Sequence, residues 1–336
     1  MENLRPLLSI CIPTYNRSEM LETCLQAIYH SIVDLKNVEI IVSDNASVDN
    51  TKFVLDKWKV CIPHMRVFVQ DINLGAEGNF FFLATRASGE YLWVFGDDDR
   101  FNTDTIGYVL SKLQDEPLTD VLILNFRIYS KDFISVKRPM GLKVKGNIVY
   151  NDKNKVLSKF GLNLGYISSI VVRRSIFLET SYEKYMSLAK TGFAFAFAIY
   201  NGLHYFSRVE YVARPMFDNR AENSNAYNWY DYFVKGSSQI FDELVKSGYS
   251  LSSNRSAKKN VIKQFIIHDI LVRKRDETMP ENLWSLLFAY YKNVIEFWIF
   301  LTPILCLPNW SIRSTYNLKL KMQKYIKYYH RRKIQL

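Results

Sequence analysis

Residues 91–99 read YLWVFGDDD, an apolar run that ends at a glycine and three consecutive aspartates. Residues 91–95 have the length and aromatic content of a buried strand. Three neighbouring carboxylates repel one another unless a positive group lies beside them. Mg²⁺ and Mn²⁺ prefer oxygen ligands and often complete their shells with substrate phosphates. The stretch therefore predicts a strand that presents Asp97, Asp98 and Asp99 to a divalent cation, with a solvated acidic turn as the alternative.

The segments around this stretch alternate between strand and helix patterns as far as about residue 130. Strands are predicted at residues 7–12, 38–43, 66–69 and 121–126, and helices at residues 18–30, 50–58, 77–86 and 104–113. Strands that alternate with helices are typical of βαβ units, which build a mainly parallel sheet covered by helices on both faces. The sequence therefore predicts an α/β fold of the Rossmann-like type.

Four polar segments follow the predicted strands. They are PTYNR (13–17), DNAS (44–47), DINLG (71–75) and GDDD (96–99). Each alone has the composition of an ordinary turn. Because ligands of such sheets bind beyond the carboxyl ends of the strands, the four together predict one site at one rim. Asp44 can accept hydrogen bonds from a pyrimidine base, beside Thr14 and Tyr15. Its alternative role is to cap the next helix, which Ser47 or Asp49 could do instead.

The blocks LSICIPTYNR, EIIVSDNASVDNT, DINLGAEGNF and ASGEYLWVFGDDD resemble, in order and spacing, the family 2 glycosyltransferases with the GT-A fold. The resemblance is strong over residues 7–115 and continues more weakly to about residue 225. It implies a metal-dependent glycosyltransferase of the hexosyltransferase class that uses a nucleotide-sugar donor. The chain length and the GDDD ending also resemble transferases that add side-branch sugars to bacterial O-antigen and surface polysaccharides, such as abequosyltransferases. That likeness implies CDP-abequose or another deoxyhexose donor and a lipid-linked oligosaccharide acceptor.

The resemblance also implies roles for single residues. Those implied to bind the donor are Pro13, Thr14, Tyr15, Arg17, Asp44, Asn45, Asn73, Gly75, Asn79, Asp97 and Arg220. Asp99 and Asp97 would hold Mg²⁺ or Mn²⁺, and Asp98 is a catalytic candidate. The segment RPMFDNRAENSNAYNW (214–229) looks like a loop near the donor diphosphate, where Asn223 and Ser224 could close over it together with Arg220.

One departure from the family concerns the general base. Many members carry an acidic pair beyond the DDD motif, whereas residues 189–202 here read AKTGFAFAFAIYNG and contain no carboxylate. A base must lie within about 3 Å of the proton that it removes. Glu183 is the candidate base, with Glu179 and Asp218 as further possibilities. An inactive nucleotide- or glycan-binding module is the alternative function, and inversion or retention stays open. The alternating phenylalanines fit either a strand or a buried helix.

The charge of the chain is concentrated at its C-terminal end. The whole sequence carries 44 Lys and Arg against 33 Asp and Glu, a formal net charge of +11. Residues 311–336 hold eight basic residues and no acid, so that residues 1–310 have a net charge of only +3. A nearly neutral body argues against a nucleic-acid partner. The four cysteines show no spacing typical of zinc or disulfide sites, which favours a reducing cytosol.

The C-terminal region predicts contact with a membrane surface. Residues 283–301 read LWSLLFAYYKNVIEFWIFL, in which Lys292 and Glu296 interrupt the apolar pattern. The longest uninterrupted apolar run, residues 297–308, is shorter than the roughly 20 residues of a spanning helix. Trp284, Trp298 and Trp310 suit the headgroup boundary. Basic side chains favour an anionic leaflet by about 1 kcal/mol each. We expect a peripheral protein on the cytoplasmic face of the inner membrane; packing on the catalytic domain or a dimer contact is the alternative.

Two regions are predicted. Residues 1–245 form a GT-A domain, in which residues 1–115 bind the nucleotide sugar and residues 116–245 bind the acceptor. Residues 255–336 form a helical C-terminal region with the amphipathic segment and the basic tail. The polar stretch SLSSNRSAKK (250–259) is taken as the boundary between them. The oligomeric state is left open.

Overall fold

A computed structural model describes residues 5–31, 37–62, 65–204, 207–221 and 229–314. The strands are β1 (Leu8–Thr14), β2 (Val38–Asp44), β3 (Arg66–Val69), β4 (Tyr91–Val94), β5 (Arg100–Phe101), β6 (Thr119–Tyr129), β7 (Val136–Arg138), β8 (Ile148–Tyr150), β9 (Ile170–Arg173) and β10 (Arg208–Arg220). The helices are α1 (Ser18–Ser31), α2 (Thr51–Cys61), α3 (Gly75–Arg86), α4 (Thr105–Asp115), α5 (Lys153–Phe160), α6 (Arg174–Leu178), α7 (Tyr182–Leu188), α8 (Ala194–Gly202), α9 (Ser237–Lys246), α10 (Leu251–Val261), α11 (Ile267–Asp276), α12 (Leu283–Tyr291) and α13 (Thr302–Cys306).

The strands within the described ranges form one sheet, in the order β3-β2-β1-β4-β9-β6-β10-β5. Strands β3, β2, β1 and β4 are parallel, and β10 is parallel to β6. Strand β9 runs antiparallel between β4 and β6, and β5, β7 and β8 are also antiparallel to their neighbours. The predicted α/β fold is confirmed: a mainly parallel sheet with helices against it.

The buried core explains why the central strands read as continuous apolar runs. All four residues of β4 are buried, and so are six of the seven residues of β1. A strand that is covered on both faces has no polar face to alternate with. Below the aspartates the core is aromatic: the rings of Phe95 and Phe101 stack with centroids 3.7 Å apart, and Phe217 packs on Phe95. The loop that carries the aspartates therefore rests on a close-packed base.

The structure settles whether one segment is a strand or a helix and shows the conformation of two others. The segment with alternating phenylalanines is the buried helix α8. The polar stretch 250–259, taken as a boundary, is helical: Ser250 caps the first turn of α10 by accepting from the backbone N–H of Ser253. The segment 214–220, expected in a loop, forms the end of strand β10.

The C-terminal region is helical as far as it is described. Helix α12, a π-helical turn at Phe297–Leu301 and helix α13 follow one another. Buried Leu287, Tyr291 and Phe297 face the body of the protein, and Lys259 of α10 forms an ion pair of 2.9 Å with Glu296. In the described part of the chain, none of the helices has both the length and the apolar character needed to cross a bilayer. The division into residues 1–245 and 255–336 stays a prediction, and α10 packs against α5 of the earlier region.

Candidate active site

The rim of the sheet brings the first two polar segments side by side. Thr14 ends β1 and Asp44 ends β2, and the two residues are paired in the parallel register. The backbone N–H of Asn45 donates to the carbonyl oxygen of Thr14 at 2.9 Å, so that the pairing continues one residue past the strands. Pro13 lies in β1, and the ring of Tyr15 is exposed just beyond it.

Thr14 and Arg17 hold the first two aspartates of the motif. The Thr14 hydroxyl donates to Asp97 Oδ2 at 2.8 Å. The Arg17 guanidinium donates to Asp97 Oδ1 at 3.1 Å and to Asp98 Oδ2 at 3.3 Å. The Asp97 side chain is 4% exposed and that of Asp98 is 19% exposed. Asp98 is therefore the more accessible of these two carboxylates.

Asp99 is held from the other half of the chain. The Tyr166 hydroxyl donates to Asp99 Oδ2 at 2.9 Å, and the Asn219 amide donates to Asp99 Oδ1 at 2.9 Å. Ser168 accepts from the backbone N–H of Gly96 at 2.9 Å and steadies the turn before the motif. The Arg220 guanidinium donates to the Asp98 carbonyl oxygen at 3.3 Å and to the Lys131 carbonyl oxygen at 2.9 Å. Arg220 thus lies against the motif, and its role in binding the donor diphosphate stays a prediction.

The electrostatics of the motif favour a cation. Burial, followed by the charge of Asp98, raises the pKa of Asp97 and of Asp99 above the ordinary carboxyl range. Arg17 and the hydrogen-bond donors oppose this effect without cancelling it. Within the described ranges, no three Asp, Glu, His or Cys side chains gather into a metal cage. The two buried carboxylates fit a cation such as Mg²⁺ that takes one or two protein ligands and its remaining ligands from phosphates and water.

The nucleoside side of the rim is tied together by its own side chains. Asp44 is buried, and its Oδ1 accepts from the backbone N–H of Ser47 at 3.0 Å. Asp49 accepts from the backbone N–H of Thr51 at 3.0 Å, at the start of α2. The N-cap position itself is Asn50, which makes no side-chain cap hydrogen bond. Asp49 instead binds the first backbone N–H of α2, and Asp44 stabilises the turn before it.

The third polar segment is cross-linked to the second. The Asn45 amide nitrogen donates to Asn73 Oδ1 at 2.9 Å, and Asn45 Oδ1 accepts from the backbone N–H of Leu74 at 2.8 Å. Gly75 has φ +73°, a conformation that glycine adopts without strain. Asn79 donates to the Ser43 carbonyl oxygen at 3.1 Å, and its buried Oδ1 has no partner in the described part of the protein. These residues are brought to the rim, where Asn45 and Asn73 contact each other.

Among the described residues, none of the three candidate bases forms a hydrogen bond or ion pair with the aspartates of the motif. Glu183 is exposed in the first turn of α7, with no hydrogen bond or ion pair among the described residues. Glu179 lies 3.1 Å from His204 Nε2, and Asp218 is held by two arginines. Of the three, Asp218 lies closest along the chain to a residue that touches the motif, namely Asn219. The predicted residues Asn223 and Ser224 lie outside the described residues.

Glu77 is a buried carboxylate that the sequence reading did not single out. Its Oε1 accepts from the backbone N–H of Ala194 at 3.0 Å, and its Oε2 accepts from the Phe195 N–H at 3.2 Å and from the Tyr185 hydroxyl. Helix α8 has no side-chain cap of its own, so that Glu77 of α3 serves as its N-terminal cap. Burial raises the pKa of Glu77 to about 7, and these hydrogen bonds limit the rise.

Tyr166, Ser168 and Asn219 were also missed by the sequence reading. Asn219 stands in the quoted segment RPMFDNR, next to Arg220, and that neighbourhood was a usable signal. Tyr166 lies between two short 3₁₀ turns before β9 and Ser168 lies in the second of them, where no spacing in the sequence marks either residue.

Comparison with known proteins identifies the family. The sequence profile of glycosyl transferase family 2 matches residues 9–180, which include Asp44, Glu77 and the DDD motif. The chain belongs to glycosyl transferase family 2. It is 27% identical over 302 residues to abequosyltransferase RfbV of Salmonella typhimurium, an alignment that covers 86% of each chain. It is 33% identical over 108 residues to the GalNAc(5)-diNAcBac-PP-undecaprenol beta-1,3-glucosyltransferase of Campylobacter jejuni, covering 32% of this chain and 34% of that one.

Solved structures support the same fold. The structure of S. aureus TarS 1-349 in complex with UDP-GlcNAc matches with a TM-score of 0.62 at 14% identity, covering 86% of this chain and 80% of that one. The structure of TarS 1-349 alone matches with a TM-score of 0.60. At this identity the likeness concerns the fold, which is GT-A. This family 2 member is therefore a glycosyltransferase related to transferases of O-antigen and surface polysaccharides.

Proposed function

We propose that the protein transfers a deoxyhexose or related sugar from a nucleotide-diphosphate sugar to a hydroxyl group of a lipid-linked oligosaccharide in O-antigen or surface-polysaccharide synthesis. The observation that carries the proposal is the meeting of Thr14, Arg17 and the DDD motif at one rim, with Asp44 beside them. The likeness to abequosyltransferase RfbV over 86% of both chains supports CDP-abequose or a similar sugar as the donor class.

In this proposal the donor lies along the rim. The nucleoside contacts Tyr15, whose ring is exposed, and the rim beside Pro13 and Asp44. The cross-linked residues Asn45, Asn73 and Gly75 border it, together with Asn79. Arg17 and Arg220 flank the motif from opposite sides and contribute positive charge toward the diphosphate.

Asp97 and Asp99 are the residues that would hold Mg²⁺ or Mn²⁺. Their burial with incomplete charge compensation is the observation that supports this assignment. A divalent cation supplies positive charge to the oxygens of the departing nucleoside diphosphate. The hydrogen bonds from Thr14, Tyr166 and Asn219 fix the two carboxylates before any ligand binds, which lowers the cost of reorganisation during the reaction.

The base that removes the acceptor proton is proposed from accessibility. Asp98 is the partly exposed carboxylate of the motif, and Glu183 is the exposed acid on α7. A carboxylate that contacts the acceptor must be reachable from solvent. Replacing Asp98 by Asn and Glu183 by Gln separates the two: the true base is the one whose loss lowers kcat while donor KM stays within about twofold.

The experiment that tests the function is a donor panel. The full chain is incubated with UDP-, GDP-, CDP- and dTDP-sugars, Mg²⁺ or Mn²⁺ and a lipid-linked oligosaccharide acceptor, and the released nucleoside diphosphate is measured. We expect turnover with one nucleotide class, lost by at least about 100-fold in Asp99→Ala. Asp56→Ala, on the exposed face of α2, is the matched control. Nucleotide binding without turnover for any donor would instead favour the inactive binding module.

We also propose that the protein acts at the cytoplasmic face of the inner membrane as a peripheral protein. The support is a surface, here called the aromatic face, of exposed apolar side chains in the C-terminal helices: Trp284, Phe288, Ile295, Trp298, Ile299, Phe300, Leu307 and Trp310. Trp284 is 42% and Trp298 is 47% exposed, which is unusual for side chains of this size. Clustered exposed aromatic residues mark interaction sites, and the basic residues 319–333 complement an anionic surface.

Sedimentation with vesicles tests the location. The full chain is mixed with vesicles of neutral lipid, or with vesicles that contain about one third anionic lipid. The fraction of protein bound to the vesicles is then measured. We expect binding to the anionic vesicles that falls severalfold in the double variant Trp284→Ala, Trp298→Ala. Phe53→Ala, an exposed apolar residue on α2, is the matched control. Equal sedimentation of all variants would contradict the membrane proposal.

A further inference from the structure

A charged cavity lies next to the DDD motif at the same edge of the sheet, on the side of β6, β10 and β5. It has a volume of about 560 Å³ and is lined by Arg100 and Phe101 of β5, Arg127 and Tyr129 of β6, Asp218 of β10 and the loop Asn102–Asp104. In the strand order, Asp44 on β2 lies on one side of the DDD loop, and β6, β10 and β5 lie on the other. The roles proposed above leave this cavity unassigned.

The cavity is built around one buried carboxylate between two arginines. Asp218 pairs with Arg127 on one neighbouring strand and with Arg100 on the other, so that the three side chains share one face of the sheet. Arg127 Nε donates to Asp218 Oδ1 at 2.7 Å, and Arg100 Nη2 donates to Asp218 Oδ2 at 2.9 Å. Each carboxylate oxygen thus takes one arginine. The two guanidiniums are held in place, and about a third of each side chain stays exposed.

Both guanidiniums keep unused donors. Arg127 Nη2 also donates to Asn102 Oδ1 at 2.8 Å. Since a guanidinium has five N–H groups, each arginine retains several that meet no acceptor within the described ranges of the chain. These donors border the cavity and suit a ligand with several oxygen atoms.

Aromatic rings fix the planes of the two guanidiniums. Arg100 Cζ lies 4.4 Å from the centroid of the Phe133 ring and 5.4 Å from that of Tyr129, and Arg127 Cζ lies 5.5 Å from Tyr129. Stacking on a ring restrains a guanidinium while its edge donors stay available. Because the two arginine side chains are already restrained, binding of a ligand costs little of their conformational entropy, which favours affinity.

The charge balance of the cavity is positive. Asp218 compensates one of the two arginines, and Asp104 at the edge is paired with Arg214 at 2.9 Å. One guanidinium charge is left over. On the far side, Arg220 Cζ lies 4.6 Å from the same Phe133 ring that Arg100 contacts. An anionic ligand with several oxygens, such as a phosphate or diphosphate, complements this lining better than a neutral sugar.

We propose that this cavity binds a phosphate or diphosphate group that is distinct from the donor diphosphate, and that the group belongs to the acceptor. The identity of the ligand rests on the proposed function; the existence of the site does not. The cavity is one residue from the motif along two strands, because Arg100 follows Asp99 and Asp218 precedes Asn219. Strand alternation places Asn219 on the motif side and Asp218 on the cavity side. A diphosphate-linked acceptor anchored here lies beside the reaction centre.

Direct binding tests the site without turnover. The full chain is titrated calorimetrically with inorganic pyrophosphate and with farnesyl diphosphate, in EDTA so that no divalent cation links either probe to the aspartates. The variants are Arg127→Gln, which removes one guanidinium group, and Arg100→Lys, which keeps the positive charge but loses the paired N–H donors of the guanidinium. Lys52→Gln, on the exposed face of α2, is the matched control. We expect binding to be at least about tenfold weaker in the first two variants and unchanged in the control.

The outcomes separate the ligand sources. Tighter binding of farnesyl diphosphate than of pyrophosphate assigns the site to a lipid-linked diphosphate, whereas equal binding assigns it to free phosphate and overturns the acceptor part of the proposal. Unchanged affinity in folded Arg100→Lys, or no binding of either probe by the unaltered chain, overturns the site itself. If the donor panel shows no turnover but the arginine variants still lose binding, the phosphate site stands and the proposed function fails.

Discussion

Glu77 gives the sharpest prediction, because within the described part of the chain its buried carboxylate meets three hydrogen-bond donors and no cationic side chain. The donors are the N–H groups of Ala194 and Phe195 and the Tyr185 hydroxyl. Burial raises its pKa from an ordinary 4.5 to about 7. At about 1.4 kcal/mol for each unit of pKa, the change corresponds to about 3 kcal/mol. Replacing Glu77 by Gln removes the titration and leaves a side chain of almost the same shape.

The sign follows from proton linkage. Below pH 4.5 the folded and unfolded chains both carry the proton on Glu77, so that its full contribution to stability is present. As the pH rises toward 7, the unfolded chain releases the proton while the folded chain retains it, and the unaltered protein loses stability. Above about pH 7 the loss is complete. The free energy of unfolding of Glu77→Gln minus that of the unaltered chain should therefore rise by about 3 kcal/mol between pH 4.5 and pH 8.

Urea denaturation followed by circular dichroism measures this difference. Both proteins are unfolded at about pH 4.5, 6, 7 and 8, a series that covers the pKa of Glu77 in the unfolded and in the folded chain. The free energies of unfolding are compared at each pH. Other titrating groups, such as Asp97, contribute to both proteins and cancel. Any hydrogen bond weakened by the amide shifts the difference by the same amount at every pH. Glu183→Gln, the same substitution at an exposed position of α7, is the matched control. A Glu77→Gln difference that is constant within about 1 kcal/mol would refute the reasoning.

Two further predictions concern backbone and cap. Gly192 has φ +74°, and a Cβ there would lie only 2.0 Å from the Tyr232 ring. Gly192→Ala should therefore destabilise the protein by more than the roughly 1 kcal/mol that left-handed backbone strain costs alone. Gly107→Ala, in α4 with open space around it, should leave stability unchanged or raise it by up to about 1 kcal/mol; thermal unfolding compares the two. Ser250→Ala should cost about 1 kcal/mol by loss of the α10 cap, and an unchanged denaturation midpoint would show that the first turn does not need it.

The general position of the site was predictable from the sequence, and its inner contacts were not. Apolar runs that end in polar segments identify the strands and their carboxyl ends, and a parallel sheet places those ends at one rim. That reasoning located Thr14, Asp44 and the DDD motif. The hydrogen bonds to Asp99 come from Tyr166 and Asn219, which are 67 and 120 positions away along the chain. No local period encodes contacts at such a separation.

The same contrast applies to residues 250–259, which were taken as a boundary between two regions and lie in a helix. Residues 250–259 are polar, yet helix α10 needs only a narrow apolar stripe, supplied by Ala257 and Val261, to pack against its neighbours. The exposed remainder of the helix is free to be polar, so that composition alone suggested a linker.

The amino-acid sequence by itself determined the α/β architecture and the rim at which the polar segments meet, because periodicity and strand ends are local properties of the chain. The resemblance of the four ordered sequence blocks indicated the family. Only the tertiary structure decided which side chains hold the aspartates, that Glu77 caps the helix in which an acid was expected, and that Arg100 and Arg127 share Asp218. Those arrangements depend on which distant segments are brought into hydrogen-bonding distance, and packing of the whole sheet is what sets that distance.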